Sequence, residues 1–336
     1  MTRTPRGLAA LLLLVVGALL LPIAPAAMAA TSSAISPAAT GTVEGAASQT
    51  SLRVELRRSL KKARLDRRVS DRTAPAFDSL VGDQAQIPEG CVAVQHPQTS
   101  HDICVLGDVD AARTVVLLGS SHAAMWLAGL EGPAQRGASR IIPLIKYGCS
   151  PLVLRTRVKD RDWPECADYR RWALARIAEL SPDLVVVGTH TYTYISDGRG
   201  GQLKEGSRRY ERSYSRGLTR LVTSLQETSD RVVVLGDLAR RRPAVRPARC
   251  LLANDRRYAP CENRLSARDD EMLARDASAT RAAGGEFFDT NRLTCLRRRC
   301  PVAAGGIYVY RDFSHVSRTW SLHVGEVLAA RIRLLG

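Results

Sequence analysis

Four aliphatic runs, each followed by a helix-forming segment, constrain the fold of this chain more than any other feature. They lack polar alternation, as do strands that are buried on both faces of a parallel sheet. This repetition of strand and helix predicts one doubly wound α/β domain, with a mostly parallel sheet covered by helices on both faces. The runs are TVVLLG at 114–119, RIIPLIKY at 140–147, DLVVVG at 183–188 and RVVVLGD at 231–237.

The periodicity of apolar residues places helices between and after these strands. A further short strand is expected at 286–289, where EFFD follows a helical segment. The chain contains no internal repeat that would divide the sheet. The helices are expected at 123–136, 165–180, 208–228, 266–283 and 318–334.

The amino terminus reads as a secretory signal peptide over residues 1–29. Arg3 and Arg6 precede an apolar run at 8–21, and Ala-Met-Ala at 27–29 is typical of a cleavage site. The alternative is an uncleaved anchor, because a weakly apolar character continues beyond the run. In both cases we expect a secreted or cell-envelope location. Residues 30–73 are predicted to be a flexible Ala/Ser/Thr linker with a basic helix, and 74–336 the α/β domain.

The basic helix is expected within residues 51–71, which read SLRVELRRSLKKARLDRRVSD. One interpretation is a surface helix that leans on the domain, and the other is a contact with an anionic wall polymer or membrane. The first is favoured, because the apolar positions are only roughly periodic.

Eight cysteines in an exported chain favour disulfides over free thiols. The order along the chain suggests nearest-neighbour pairing, although eight cysteines allow 105 schemes. A metal site is not expected, since no CxxC pair faces a second such pair or a spaced His pair. The suggested pairs are Cys91 with Cys104, Cys149 with Cys166, Cys250 with Cys261, and Cys295 with Cys300.

The formal charge of +16 arises from 49 Lys and Arg against 33 Asp and Glu. Outside a cell such an excess favours anionic glycopolymers, a phospholipid surface or solubility over nucleic acid. An arginine-rich composition is also common in GC-rich genomes, so the charge alone does not identify a partner. We expect no nucleic-acid partner, no cofactor and a monomer.

Three residues could form a nucleophilic site. Ser121 lies where the first strand turns into a helix, and Asp312 and His315 lie in a loop before the last helix. The carboxyl ends of parallel strands meet at one edge of a sheet, so these side chains can approach one another. An Asp three residues before a His can hold one imidazole nitrogen and leave the other for a serine proton. A capping Asp and a surface His are the alternative interpretation.

The motifs GSSHAAMW and DFSHVS together resemble the SGNH (GDSL-like) hydrolase superfamily. Within it, the chain is most similar to the SGNH domain fused to bacterial membrane acyltransferases that O-acylate surface polysaccharides. That group carries GDSHA after the first strand, Gly-Cys after the second and DxxH before the last helix. The matching positions here are 119–123, 148–149 and 312–315, and the similarity extends from about Cys91 to the carboxyl end. The resemblance implies a flavodoxin-like SGNH hydrolase fold.

The resemblance also assigns roles. It implies that Ser121 is the nucleophile, His315 the general base and Asp312 the residue that orients it. The N–H groups of Ser121 and Gly148 would form the oxyanion hole, where the developing negative charge is bound.

Two positions depart from the pattern of the superfamily. Ser120 stands where an Asp is usual, which raises a question about the geometry of the turn. The segment GTHTYTY at 188–194 occupies the place of the block whose Asn completes the oxyanion hole. Thr189 or His190 would have to donate instead.

The resemblance therefore implies an exported serine esterase or O-acyltransferase that works through an acyl-enzyme on Ser121. Its substrate would be an acylated carbohydrate, a cell-wall polymer or another cell-envelope ester. A separate membrane acyltransferase is a candidate partner. The competing hypothesis is an inactive carbohydrate-binding module, which Ser120 and the missing Asn favour.

Overall fold

Six strands form the central sheet of the protein, whose computed structural model describes residues 48–240 and 246–336. Their order is β1-β3-β2-β4-β5-β6, and every pair is parallel except β1 with β3. The predicted doubly wound α/β fold is confirmed, while the predicted signal peptide lies outside the described residues. The strands are β1 (Leu106–Gly107), β2 (Arg113–Gly119), β3 (Ser139–Ile145), β4 (Leu184–Gly188), β5 (Val232–Gly236) and β6 (Glu286–Asp289).

The helices begin and end within a few residues of the predicted positions, except that the basic helix ends earlier and α5 was not predicted. Ser side chains at five helix starts accept a backbone N–H, which satisfies donors that the helix itself leaves unpaired. The helices are α1 (Gln49–Arg64), α2 (Ser121–Arg136), α3 (Pro164–Leu180), α4 (Arg208–Gln226), α5 (Pro247–Ala253), α6 (Ala267–Ala282) and α7 (Arg318–Arg331).

Both faces of the sheet are covered by apolar side chains. Val115 and Leu117 of β2 face one core, to which α2 and α7 contribute. Val116 and Leu118 face a second core, to which α3 and α4 contribute. Successive residues of a strand point to opposite faces, so an unbroken aliphatic run serves both cores.

Helix α1 packs against the domain. Leu52 and Leu56 are buried in the same core as α7, and the Glu55 carboxylate lies 2.8 Å from Nε2 of His323. The interpretation of α1 as a helix that leans on the domain is therefore confirmed. Within the described ranges no helix is both long and apolar enough to cross a bilayer.

Helices α2 and α7 approach each other closely through two glycines. A Cβ added to Gly325 would lie 2.1 Å from the carbonyl oxygen of Gly129, and one added to Gly129 would lie 2.2 Å from the carbonyl oxygen of Ser321. The Gly129 N–H also donates to Oγ of Ser321 at 3.1 Å. The two backbones are therefore in direct contact, which fixes α7 relative to the start of α2.

All eight cysteines are paired as their order along the chain predicted. The bridge between Cys149 and Cys166 joins the loop after β3 to the first turn of α3. The other bridges close the loop before β1, the segment around α5 and the loop after β6.

Candidate active site

A tight turn connects β2 to α2 and presents Ser121. Gly119 has φ of +154°, and a Cβ there would lie 2.6 Å from the carbonyl oxygen of Gly188 and 2.8 Å from Cβ of Ala123. Only a glycine fits this approach of α2 to the ends of β2 and β4. Ser121 is consequently the first residue of α2 at the carboxyl edge of the sheet.

Ser120 caps the amino terminus of α2. Its buried hydroxyl accepts the N–H of His122 at 3.3 Å. Ser and Asp are comparably good at this capping position, because each supplies an oxygen to an unpaired N–H of the first turn. The Ser in place of the usual Asp therefore leaves the turn intact.

The structure brings Ser121, His315 and Asp312 together. Nε2 of His315 lies 2.9 Å from Oγ of Ser121, although the two residues are 194 positions apart. Nδ1 of His315 lies 3.0 and 2.9 Å from the two carboxylate oxygens of Asp312. The carboxylate also accepts the N–H groups of Ser314 and His315, at 2.8 and 2.9 Å. This arrangement can take a proton from the serine hydroxyl.

Burial and charge set the protonation of this group. Burial would raise the pKa of Asp312, but the hydrogen bond and charge of His315 outweigh it and lower that pKa to about 2. Burial lowers the pKa of His315 below its ordinary value of 6.5, although the hydrogen bond to Asp312 opposes this. Near neutral pH the pair is a carboxylate with a neutral imidazole, which is the form a general base needs.

A second His–Asp pair lies beside the first and was not predicted. Nδ1 of His122 is 2.6 Å from Oδ1 of Asp237, and both side chains are buried. Asp237 follows β5 and also accepts the N–H groups of Thr191 and Leu238, at 3.0 and 2.8 Å. The carboxylate thus joins α2 to the loops after β4 and β5.

Three imidazoles stand side by side at this edge. The ring of His122 is 4.2 Å from that of His190 and 4.7 Å from that of His315. Burial, followed by the proximity of His122, lowers the pKa of His190 to about 3. One ring nitrogen each of His122 and His190 and a carboxylate oxygen of Asp237, atoms of the kind that bind metal ions, lie within 4.8 Å of one another. Both oxygens of Asp237 already accept N–H groups, so hydrogen bonds hold His122 and Asp237 together, and His190 joins them by ring stacking.

Of the two residues expected to replace the missing Asn, only His190 is placed to donate. The Thr189 hydroxyl donates to the carbonyl oxygen of Leu235 at 2.9 Å, and the side chain is buried. The oxyanion-hole role of Thr189 therefore stays a prediction that this hydrogen bond does not favour. No hydrogen-bond partner for the ring nitrogens of His190 occurs in the described part of the chain, which leaves a ring N–H for a ligand.

Gly148 lies in a loop that is anchored on several sides. The Lys146 N–H donates to the carbonyl oxygen of Gly119, so the chain passes beside the nucleophile turn before it reaches Gly148. The buried Nζ of Lys146 donates to the carbonyl oxygens of Gln95, His96 and Gln98, and the Cys149 disulfide follows. Gly148 has φ of +73° and is exposed.

A small cavity of about 180 Å³ opens at Ser121. Its apolar side is formed by Ala124, Met125 and Val316, and Tyr147 and Arg311 also line it. Tyr308 and Tyr310, which precede Arg311 along the chain, are buried in the cores and do not line this cavity.

Comparison with known proteins shows the family of this chain. Residues 90–330 match the family model described as SGNH domain (fused to AT3 domains). The chain belongs to this family. A search of curated proteins found no match to this SGNH-family chain.

Several solved structures are similar to this chain to different degrees. The periplasmic domain of a lipopolysaccharide acetyltransferase from Salmonella ser. Paratyphi A superposes with a TM-score of 0.52 at 14% identity, over 76% of this chain and 94% of that one. A carbohydrate acetylesterase from Sinorhizobium meliloti has a TM-score of 0.41 at 12% identity, over 67% of this chain and 100% of that one. An acetylxylan esterase from Geobacillus stearothermophilus has a TM-score of 0.38 at 12% identity, over 67% of this chain and 96% of that one.

Proposed function

We propose that this SGNH-family chain is an extracytoplasmic serine esterase or O-acyltransferase that forms an acyl-enzyme on Ser121. The observation that carries the proposal is the 2.9 Å contact between Oγ of Ser121 and Nε2 of His315, whose Nδ1 faces Asp312. A serine with an oriented base is an activated nucleophile.

In the first half-reaction, Oγ of Ser121 attacks the ester carbonyl and its proton passes to Nε2 of His315. Asp312 stabilises the imidazolium that forms. The oxyanion is bound by the N–H groups of Ser121 and Gly148 and by a ring N–H of His190. The C–O bond of the ester then breaks, and His315 returns the proton to the departing alcohol.

In the second half-reaction, His315 takes a proton from the acceptor hydroxyl, which attacks the acyl carbonyl. The bond between the acyl carbon and Oγ of Ser121 then breaks, and His315 returns the proton to Oγ. Water as the acceptor releases a carboxylic acid, and a sugar hydroxyl yields a new ester. Preorganised N–H donors usually contribute most to such acyl transfers. His190 suits this task because its low pKa keeps it neutral.

The cavity beside Ser121 supports a short acyl group. Its volume of about 180 Å³ lies below the usual range for pockets that hold whole drug-sized ligands. The apolar side chains of Met125 and Val316 suit the methyl end of an acetyl group. The Salmonella domain of the same fold belongs to an acetyltransferase, which supports the same choice.

Four disulfides and the periplasmic location named for the Salmonella domain support an extracytoplasmic site of action. An acylated carbohydrate or cell-wall polymer is the substrate class that we propose. The description of the family as fused to AT3 domains makes a separate membrane acyltransferase the candidate partner.

The test uses a fluorophosphonate probe and a chromogenic acetate ester on the exported chain. We expect covalent labelling at Ser121 and turnover, both lost in Ser121→Ala and His315→Ala. Ser120→Ala is the matched control, because it removes the neighbouring capping hydroxyl and should still be labelled. Addition of oligosaccharide acceptors then separates an esterase from a transferase by product analysis. An unlabelled but folded wild-type chain would favour the inactive binding module.

A further inference from the structure

A cluster of positive charge lines a cavity of about 680 Å³ between α3 and α4. None of its described lining residues is acidic. The cavity contains five guanidinium groups, those of Arg155, Arg170, Arg171, Arg216 and Arg220.

Arg170 lies at the bottom of this cavity and lacks a counter-charge. Its side chain is 7% exposed, and its guanidinium donates to the carbonyl oxygens of Ser150 and Leu154. No carboxylate in the described ranges lies within ion-pair distance of it. Burial, then the nearby Arg171, lowers its pKa to about 10. Its Nη1 group also donates to Sγ of Cys166 at 3.4 Å. A buried cation held by carbonyl oxygens and a sulfur, without a carboxylate, favours an incoming anion.

The other four arginines are exposed and only partly compensated. Arg171 pairs with Asp168 at 2.6 Å, and Arg220 donates to the carbonyl oxygen of Val153. For Arg155 and Arg216 the described residues provide no ion-pair partner. Guanidinium groups present flat pairs of donors that match the oxygens of a carboxylate or phosphate.

The remaining lining suits a saccharide body. Ser196 and Ser213 contribute hydroxyl groups, and four larger aliphatic side chains form apolar contacts between the arginines. The volume is in the range of cavities that enclose small organic ligands and far exceeds the need of a single inorganic ion.

Two loops connect this cavity along the chain to the candidate active site. Residues 153–155 lie five to seven positions after Gly148, and 195–196 lie five to six after His190. The Ser196 N–H donates to the carbonyl oxygen of Arg155 at 2.9 Å, so the two loops are joined at the cavity. Five residues span at most about 18 Å, so one extended oligosaccharide can reach both places.

We propose that the arginine-lined cavity is a subsite for an acidic sugar residue, bearing a carboxylate or phosphate, of the polysaccharide whose ester bond meets Ser121. The inference rests on the proposed function, because it extends that site to a substrate class. The acidic group would displace water from Arg170 and bind the guanidinium groups of Arg216 and Arg220.

The test compares two double variants on α4. Arg216→Gln with Arg220→Gln removes two charges from the cavity. Arg208→Gln with Arg212→Gln removes the same charge from exposed positions of the same helix outside it. The probe is a galacturonic acid oligomer, with a neutral galactose oligomer as its counterpart. Calorimetry at constant ionic strength gives the Kd, and turnover of the chromogenic acetate ester reports on the catalytic group.

We expect the cavity variant to weaken binding of the acidic oligomer by about 10-fold or more, and the control variant by less than about 2-fold. The neutral oligomer should bind much more weakly to the wild-type chain. Turnover of the small acetate ester should be the same in all three proteins, because that ester does not reach the cavity.

The subsite would be overturned if both double variants lost affinity for the acidic oligomer equally, or if neither lost any. Equal binding of the neutral and the acidic oligomer by the wild-type chain would also overturn it. A third contrary result would be a chain that binds no oligomer but sediments with phosphatidylglycerol vesicles in a way that depends on Arg216 and Arg220. That result would assign the cavity to a lipid headgroup. Failure of the proposed function has a different signature, since Ser121 would then stay unlabelled while the acidic oligomer still bound through Arg216 and Arg220.

Discussion

Replacement of Gly325 by Ala should separate α7 from α2 and disturb the contact between Ser121 and His315. The new Cβ would lie 2.1 Å from the carbonyl oxygen of Gly129. An ordinary contact needs about 3.5 Å, so the helices must move apart by more than about 1 Å. Ser121 begins α2 and His315 lies three residues before the start of α7, so the shift changes their distance of 2.9 Å.

The expected loss of activity is large relative to the change in the side chain. A displacement of about 1 Å in a catalytic group costs roughly 100-fold in rate. Overpacking of this kind also lowers the free energy of unfolding by about 1–3 kcal/mol. Gly129→Ala should behave in the same way, because its Cβ would lie 2.2 Å from the carbonyl oxygen of Ser321.

The assay measures kcat/KM for the chromogenic acetate ester alongside thermal unfolding. Gly132→Ala is the control, because it lies in α2 and its Cβ would meet only the end of the Arg136 side chain, at 3.4 Å. We expect it to keep full activity and gain up to about 1 kcal/mol from its helix propensity. A folded Gly325→Ala protein with the kcat/KM of the wild type would refute the reasoning.

Three other perturbations test separate parts of the site. Asp312→Asn should lower kcat roughly 10³–10⁴-fold, because the variant loses the charge that stabilises the imidazolium. Steady-state kinetics would measure this loss, and circular dichroism should show that the chain stays folded. The acid limb of kcat/KM against pH should have its midpoint below 6.5, because the pKa of His315 is lowered and activity is lost as pH falls through it; a midpoint above 6.5 contradicts this. Unfolded His315 binds a proton more readily, so stability should also fall as pH drops below 6.5, as denaturant titrations would record. The double change Cys149→Ser and Cys166→Ser should reduce the free energy of unfolding by about 3 kcal/mol, because the bridge spans 17 residues, and should slow turnover through the adjacent Gly148 loop.

The sheet and the pairing of nucleophile and base could be predicted because both depend on regular geometry. A run such as Val115 to Leu118 has one stable place in a doubly wound sheet, and that placement fixes which loops share an edge. The shared sheet edge therefore allowed His315 to meet Ser121 across 194 positions, and the family resemblance then implied that His315 is its base. The disulfides followed from their order along the chain.

Other parts of the site depend on side-chain direction, which periodicity does not specify beyond the end of a strand. Thr189 and His190 are adjacent, yet the hydroxyl of Thr189 turns to the carbonyl oxygen of Leu235 whereas the His190 ring stacks on His122. Asp237 was missed, although a signal existed. It ends the run RVVVLGD at the same sheet edge as the nucleophile, where an acidic side chain needs a partner.

The second His–Asp pair gives the altered oxyanion block a structural explanation. In the proposed oxyanion hole His190 stands in place of the usual Asn, and Asp237 holds its loop by accepting the Thr191 N–H directly after His190. The same carboxylate orients His122, whose ring supports that of His190 at 4.2 Å. One connected unit therefore contains His122 after the nucleophile, Asp237 after β5 and His190 in the place of the usual Asn. A change in any one of these three residues should alter transition-state binding more than substrate affinity, because the unit acts where the oxyanion develops.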